Sequence, residues 1–176
     1  MKLVILRTNL RDGLFMIGKI NSETPSLPIL KNFLLETFEN QIKISTTNLE
    51  LAITCFVSGK IIENGGLTIP LSVFSSIINN LQSERIELET EKDNLIIKTE
   101  NYEAKLQGIK KDEFPILPKI ENNKNFIEIQ NQILKNSLSL IMGAAQASNV
   151  RPVLNSVLLD FQTSFIKLAA TDSFRL

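Results

Sequence analysis

The run Pro28-Ile29-Leu30-Lys31-Asn32-Phe33-Leu34-Leu35 returns 124 positions later as Pro152-Val153-Leu154-Asn155-Ser156-Val157-Leu158-Leu159. Without a gap, the same shift superposes Ile42 on Ile166, Lys43 on Lys167 and Thr47 on Thr171. Upstream it places Leu10 on Leu134, Leu14 on Leu138 and Ile17 on Ile141, with Arg11 opposite Lys135. A single shift that aligns helix-spaced leucines together with strand residues implies two copies of one folding unit. Residues 1–120 read as a first, complete domain and 121–176 as the beginning of a second, so the chain is expected to be a truncated piece of a longer protein.

Within the first copy, Lys2 to Leu6 reads as a strand, and Leu10, Leu14 and Ile17 mark one face of a helix over 8–20. Strands follow at 32–38, 41–46 and 51–57, the last with Leu51, Ile53, Cys55 and Val57 on one face. Asn64-Gly65 between two apolar runs predicts a hairpin joining Ile61-Ile62 to Leu67-Ile69. Phe74, Ile77, Ile78 and Leu81 after Pro70 mark a second helix, and strands are expected at 86–90, 95–99 and 102–106. The proline-punctuated segment 112–120 reads as an extended linker. The second copy then opens with a strand at 126–129 and a helix at 132–145, followed by strands at 153–161 and 165–170. The fold class is α+β, with two helices packed on one face of a mostly antiparallel sheet in each domain.

Composition narrows the chemistry. There are 19 Lys+Arg against 19 Asp+Glu, which speaks against binding nucleic acid through bulk charge alone. Hydrophobic residues make up 43%, enough for a true core. The chain has no His, no Trp and one Cys, which removes histidine catalysis, His/Cys zinc sites and internal disulfides. No cofactor, no metal and no enzymatic activity are expected. Cys55 reads as a core thiol, Glu87, Glu89 and Glu91 as the solvated side of a strand, and Gly65-Gly66 as turn chemistry. The short apolar start, Leu3 to Leu6, is neither a signal peptide nor a span, so a soluble cytoplasmic protein without membrane contact is expected. The cations Arg7, Arg11, Lys19 and Lys135 on matching helices, with Asn149 and Arg151 in a polar loop, suit phosphate contact, or simply a solvated face. Thr171-Asp172-Ser173-Phe174-Arg175-Leu176 near Leu154 suits a groove for a short hydrophobic peptide, or is an ordinary strand end.

Thr24 to Asn32, Thr46 to Glu50, Glu113-Phe114-Pro115, Arg151 to Asn155 and Ala170 to Leu176 together resemble the bacterial DNA polymerase III β subunit family, the sliding clamps. The resemblance runs the length of the chain. It implies a DNA-clamp fold of three repeated domains per subunit, and a head-to-tail homodimer ring with helices lining the hole. It further implies a processivity factor that encircles double-stranded DNA without sequence readout and tethers the polymerase catalytic subunit, the clamp loader and other motif-bearing proteins. On that reading Arg7, Arg11, Lys19, Lys135, Asn149 and Arg151 face DNA. Leu154, Thr171, Ser173, Phe174, Arg175 and Leu176 form half of the partner-peptide pocket, and Val73, Ile77, Ala104 and Leu106 belong to the subunit interface. Some clamps carry an arginine where this chain has Thr24. The alternative is a peptide-binding adaptor with no DNA role.

Overall fold

A strand that alternates apolar and polar residues buries one face only, and unit 1 meets that demand by stacking two sheets and two helices around a single core. The structure, a computed structural model, describes residues 1–20, 27–118, 126–145 and 151–175. The chain divides into two units, Met1–Lys119 and Ile120–Leu176.

Unit 1 runs β1 (Lys2–Leu6), α1 (Arg7–Ile17), β2 (Asn32–Phe38), β3 (Gln41–Thr47), β4 (Ala52–Val57), β5 (Gly59–Glu63), β6 (Gly66–Pro70), α2 (Leu71–Asn80), β7 (Arg85–Glu91), β8 (Asn94–Lys98), β9 (Glu103–Gln107) and β10 (Ile109–Lys110). Its strands form two antiparallel sheets, ordered β5-β1-β7-β8-β9 and β10-β6-β2-β3-β4. The order repeats within the unit: strand, helix, three strands, then a short strand that crosses to the opposite sheet. At one constant offset Leu3 matches Leu67, Ile5 matches Ile69, Leu10 matches Phe74, Leu14 matches Ile78 and Ile17 matches Leu81, and all ten are buried. Each half contributes its first strand to one sheet and its other three long strands to the other, so neither half can close a core alone. At the sheet-to-sheet crossings, Gly59 and Gly108 pass so close to neighbouring backbone that a Cβ would lie 2.9 Å from the Val4 carbonyl oxygen and 2.6 Å from that of Thr68.

This topology corrects the hairpin expected at Asn64-Gly65. β5 pairs with β1 while β6 pairs with β2 and β10, so the two flanking strands lie in different sheets. The Gly65 N–H donates to Thr37 Oγ1 at 3.0 Å, and its carbonyl accepts from the Thr37 N–H at 2.9 Å. The corner is thus bonded to the end of β2, and apolar facing partners outweigh the local turn preference. The linker also begins later than expected. Residues Lys111–Glu113 form a 3-10 turn and Phe114 is buried, because its ring gains more from the core than from water.

Unit 2 contains α3 (Asn131–Ile141) and a hairpin of β11 (Leu158–Phe161) and β12 (Ile166–Ala169). The bounds of α3 are those of α1 moved by the repeat, and the 3-10 turns at Met142–Ala144 and Pro152–Asn155 match those at Gly18–Ile20 and Pro28–Lys31. Residues 126–130 form no strand, since among the described residues nothing pairs with them as β5 and β7 pair with β1. The residues expected to open a longer strand at 153–155 are taken up by the second of those 3-10 turns. Leu10 is fully buried, whereas its counterpart Leu134 is half-buried beside Ile129, Ile133, Leu159, Ile166 and Leu168.

Candidate nucleic-acid interface

Helix α1 starts directly after β1, and its leading residue Leu6 offers no side-chain cap to the free N–H groups of the first turn. Glu84, just before β7, supplies one from across the unit. Its Oε1 accepts from the Thr8 N–H at 3.2 Å and from Thr8 Oγ1 at 2.7 Å, and its backbone carbonyl accepts from the Arg7 N–H at 2.7 Å. These bonds, the Thr8 hydroxyl first, and then the Arg7 guanidinium hold the Glu84 carboxyl below the usual range. Because the folded form favours the carboxylate, this cap stabilises fully above the ordinary Glu range near pH 4.3 and fades as pH falls through the depressed value. We therefore expect Glu84→Gln to lower stability at pH 7 while changing little at acid pH, where the carboxyl is protonated in any case, so that part of the acid limb of a stability-versus-pH curve flattens. An unchanged acid limb would contradict the capping role.

Arg7 closes the same bracket. Its Nη1 donates to the Leu81 carbonyl at the end of α2 at 2.7 Å, and its Nε lies 3.6 Å from Glu84 Oε2. The guanidinium is half-buried and ties α1 to α2. The carbonyl at the end of α2 has no partner within its helix, and Arg7 supplies the donor it needs.

Arg11 and Lys19 are both exposed and line a groove of about 560 Å³ between α1 and α2, together with Asp12, Phe15, Ser75 and Asn79. Lys19 Nζ sits 4.9 Å from the centre of the Phe15 ring, a cation–π contact that orients the ammonium while leaving its charge intact. Asp12 is the sole carboxylate on the two helices, and it lies 4.0 Å from Arg11 Nε as an exposed ion pair that leaves Lys19 without a carboxylate partner on either helix. The sheets differ: Lys2–Glu89, Glu36–Lys43, Arg85–Glu87, Glu91–Lys105 and Lys98–Glu103 pair along the strands and cancel one another. Net neutrality thus hides a helix face with excess positive charge.

In unit 2, Lys135 is exposed on α3 at the position equivalent to Arg11, and Arg151 is exposed at the entry to the second 3-10 turn. Asn149 and Leu176 lie outside the described residues. Leu154 is half-buried in that turn, and Thr171, Ser173, Phe174 and Arg175 form a tight turn after β12, with Phe174 95% exposed. Ala104 and Leu106 lie half-buried on β9, the edge strand of its sheet. On α2, Val73 is exposed, and Ile77 lines a shallow depression with Tyr102, which precedes β9. Cys55 is half-buried against the core, and desolvation raises its thiol pKa, as expected of a packing residue. Glu84 was not legible as a site-forming residue, since a cap supplied from 76 residues away leaves no local pattern.

Among the described residues no group of His, Cys, Asp or Glu is placed to hold a metal ion, and no helix is long and apolar enough to cross a membrane.

The chain is 26% identical to the beta sliding clamp of Chlamydia pneumoniae over its whole length, which is 48% of that protein. It superposes on the DNA polymerase sliding clamp of Bacillus subtilis with a TM-score of 0.91 at 26% identity, covering 98% of this chain and 48% of that one. A sliding clamp from Bartonella birtlesii bound to griselimycin shares the fold, with a TM-score of 0.90 at 21% identity over 98% of this chain and 47% of that one. The chain thus spans about half the length of the relatives it matches. Residues 1–118 match the family described as DNA polymerase III beta subunit, N-terminal domain, and with the two interlocked halves, the two five-stranded sheets and the 124-residue repeat already in view, the chain belongs to that family.

Proposed function

We propose that this chain forms the opening part of a ring-shaped processivity clamp, with residues 1–120 as its first module and 121–176 as the start of its second. The ring would surround duplex DNA and make no covalent bonds. The observation that carries this is the charge contrast within unit 1: ions paired along the sheets, and on the groove between the helices two exposed cations, Arg11 and Lys19, against the single carboxylate of Asp12. A ring holds its DNA by topology, so a few screened cations suffice to centre the duplex and let it slide. Their reach is about 8 Å at physiological salt. Lys135, the repeat counterpart of Arg11, and Arg151 would face the duplex from the second module. Ala104 and Leu106 on the edge strand, with Val73 and Ile77 on α2, would meet the partner subunit, where closure of the ring needs two different complementary ends. Leu154 and the turn Thr171–Arg175 would form half of a pocket for the short motifs of polymerase and loader subunits. Because a clamp of this fold from Bartonella birtlesii binds griselimycin, that compound is the ligand we would test against this pocket.

The test is the salt dependence of duplex binding. Fluorescence anisotropy of a labelled duplex should give a log K against log salt slope that falls by about 0.9 for each of Arg11→Ala and Lys19→Ala, equally for unrelated DNA sequences. Slopes identical to the unmodified chain would refute DNA contact at this face.

A further inference from the structure

The turn after β12 is built on its own side chains. Asp172 Oδ1 accepts from the Phe174 N–H at 3.0 Å and from the Arg175 N–H at 2.9 Å, while Thr171 Oγ1 accepts from the Ser173 N–H at 3.1 Å. Ser173 adopts φ 75°. Unit 1 holds the same turn after β3. Asn48 Oδ1 accepts from the Glu50 and Leu51 N–H groups at 3.1 and 2.7 Å, Thr47 Oγ1 accepts from the Leu49 N–H at 3.0 Å, and Leu49 has φ 76°. Each of these bonds has its counterpart at the repeat offset, so the backbone of the two turns is one design.

The head group is where they part. In unit 1 a neutral amide oxygen closes the turn, so the geometry itself does not call for a charge. In unit 2 the residue is a carboxylate, and its second oxygen is in use: Arg175 Nε donates to Asp172 Oδ2 at 2.9 Å. The Asp172 side chain is 16% exposed, whereas that of Arg175 is 68% exposed. The backbone N–H of Phe174 first, and then Arg175, hold the Asp172 carboxyl below its usual range. A largely shielded anion fixed by two backbone donors is a rigid anchor, and it grips an otherwise flexible arginine by Nε alone. The two terminal NH₂ groups of the guanidinium take no part in that bond. They are a planar fork suited to a carbonyl or carboxylate oxygen.

We propose that Asp172 is a positioning residue: it sets the Arg175 guanidinium in advance so that the NH₂ groups meet an oxygen of a docking peptide. This rests on the pocket reading given under Proposed function. Ordering a long side chain before binding removes that cost from the binding step, and the gain expected is about fivefold in affinity. Because the Arg175 partner is solvent-exposed, the same ion pair contributes little to folding.

Asp172→Asn separates the two roles, because it keeps the acceptor that closes the turn, as Asn48 does, and removes the charge that holds Arg175. In ¹⁵N-labelled chain, the variant should retain hydrogen-exchange protection of the Phe174 and Arg175 amides, while the Arg175 Nε–Hε signal becomes fast-exchanging. Titration with griselimycin, followed by shifts of the 173–175 amides, should then show about fivefold weaker binding. Arg175→Gln should weaken binding to a similar degree, and the double variant should be no weaker than Arg175→Gln alone. An unchanged Nε–Hε signal and unchanged affinity in Asp172→Asn would overturn the proposal, as would a loss of the same size in the Arg175→Gln background, which would mean a purely structural role. A wild-type chain whose 173–175 amides do not respond to griselimycin, with Nε–Hε still protected, would overturn the pocket reading and with it the assigned role, leaving the ion pair itself in place.

Discussion

Phe74→Ala is expected to destabilise unit 1 by about 3–5 kcal/mol, the range for removing a fully buried phenylalanine. Phe74 is 0% exposed on the inner face of α2, and its ring centre lies 5.3 Å from that of Phe33, tilted by 41°. A tilted aromatic pair contributes about 0.5–1.5 kcal/mol beyond the area buried. The larger part of the loss is the cavity, since Leu3, Ile5, Ile69 and Ile86 around the core are also fully buried and belong to strands held in register on both sides. Total stabilities of domains are about 5–15 kcal/mol, so this one ring carries a large share. The readout is clean, because the chain has no Trp and its single Tyr is Tyr102, within unit 1. Urea unfolding followed by tyrosine emission should show a much lower midpoint for Phe74→Ala. Phe15→Ala, at a side chain 69% exposed, should stay within about 0.5 kcal/mol of the parent. Equal midpoints for the two variants would show that the described core does not carry the stability of unit 1.

Gly108→Ala is expected to cost about 3 kcal/mol, at the upper end for overpacking. A Cβ there would lie 2.6 Å from the Thr68 carbonyl oxygen and 2.7 and 2.8 Å from the Leu67 side chain. Neither neighbour can yield easily. Thr68 faces Ile109 in the β10–β6 ladder, and its hydroxyl donates to the Ile109 carbonyl at 2.9 Å, while the Gly108 N–H is itself bonded to the Asp93 carbonyl at 2.8 Å. Relief therefore means breaking the crossing of the last strand into the second sheet. Gly18→Ala is the same chemical change with the opposite expectation. Nothing lies within 4 Å of a Cβ there and the backbone is already helical, so a gain of up to about 1 kcal/mol should follow from the reduced freedom of the unfolded chain. Two glycine-to-alanine variants with shifts of opposite sign would support the crossing as described; a neutral Gly108→Ala would remove it.

The candidate site was only partly legible. Arg11 and Lys135 could be matched because the helix-spaced leucines around them recur in sequence. Arg7 looked equivalent to Arg11 in type and spacing, yet only the packing of α1 beside the end of α2 shows its guanidinium engaged by the Leu81 carbonyl. The Asp172–Arg175 pair is local and follows from its spacing once the turn is known, but the turn depends on β12 ending where it does.

What the residues alone determined was the set of elements and their repetition. Alternation along β3 and β8, the leucine spacing of α1 and the recurrence of Pro28 to Leu35 at Pro152 to Leu159 are one-dimensional patterns, imposed by which side chains must leave water. What tertiary structure decided was partnership. The second repeat, inside unit 1, leaves little trace in the sequence because its matched positions share buried character more than identity, as Leu10 and Phe74 illustrate. The Asn64-Gly65 corner carries a hairpin signal that loses to strands facing different sheets, and the 126–130 segment has the alternation of β1 without its partners. A pattern of apolar residues states that a face will be covered, whereas the identity of the cover is set by contacts between residues far apart in the chain, for which no local signal exists.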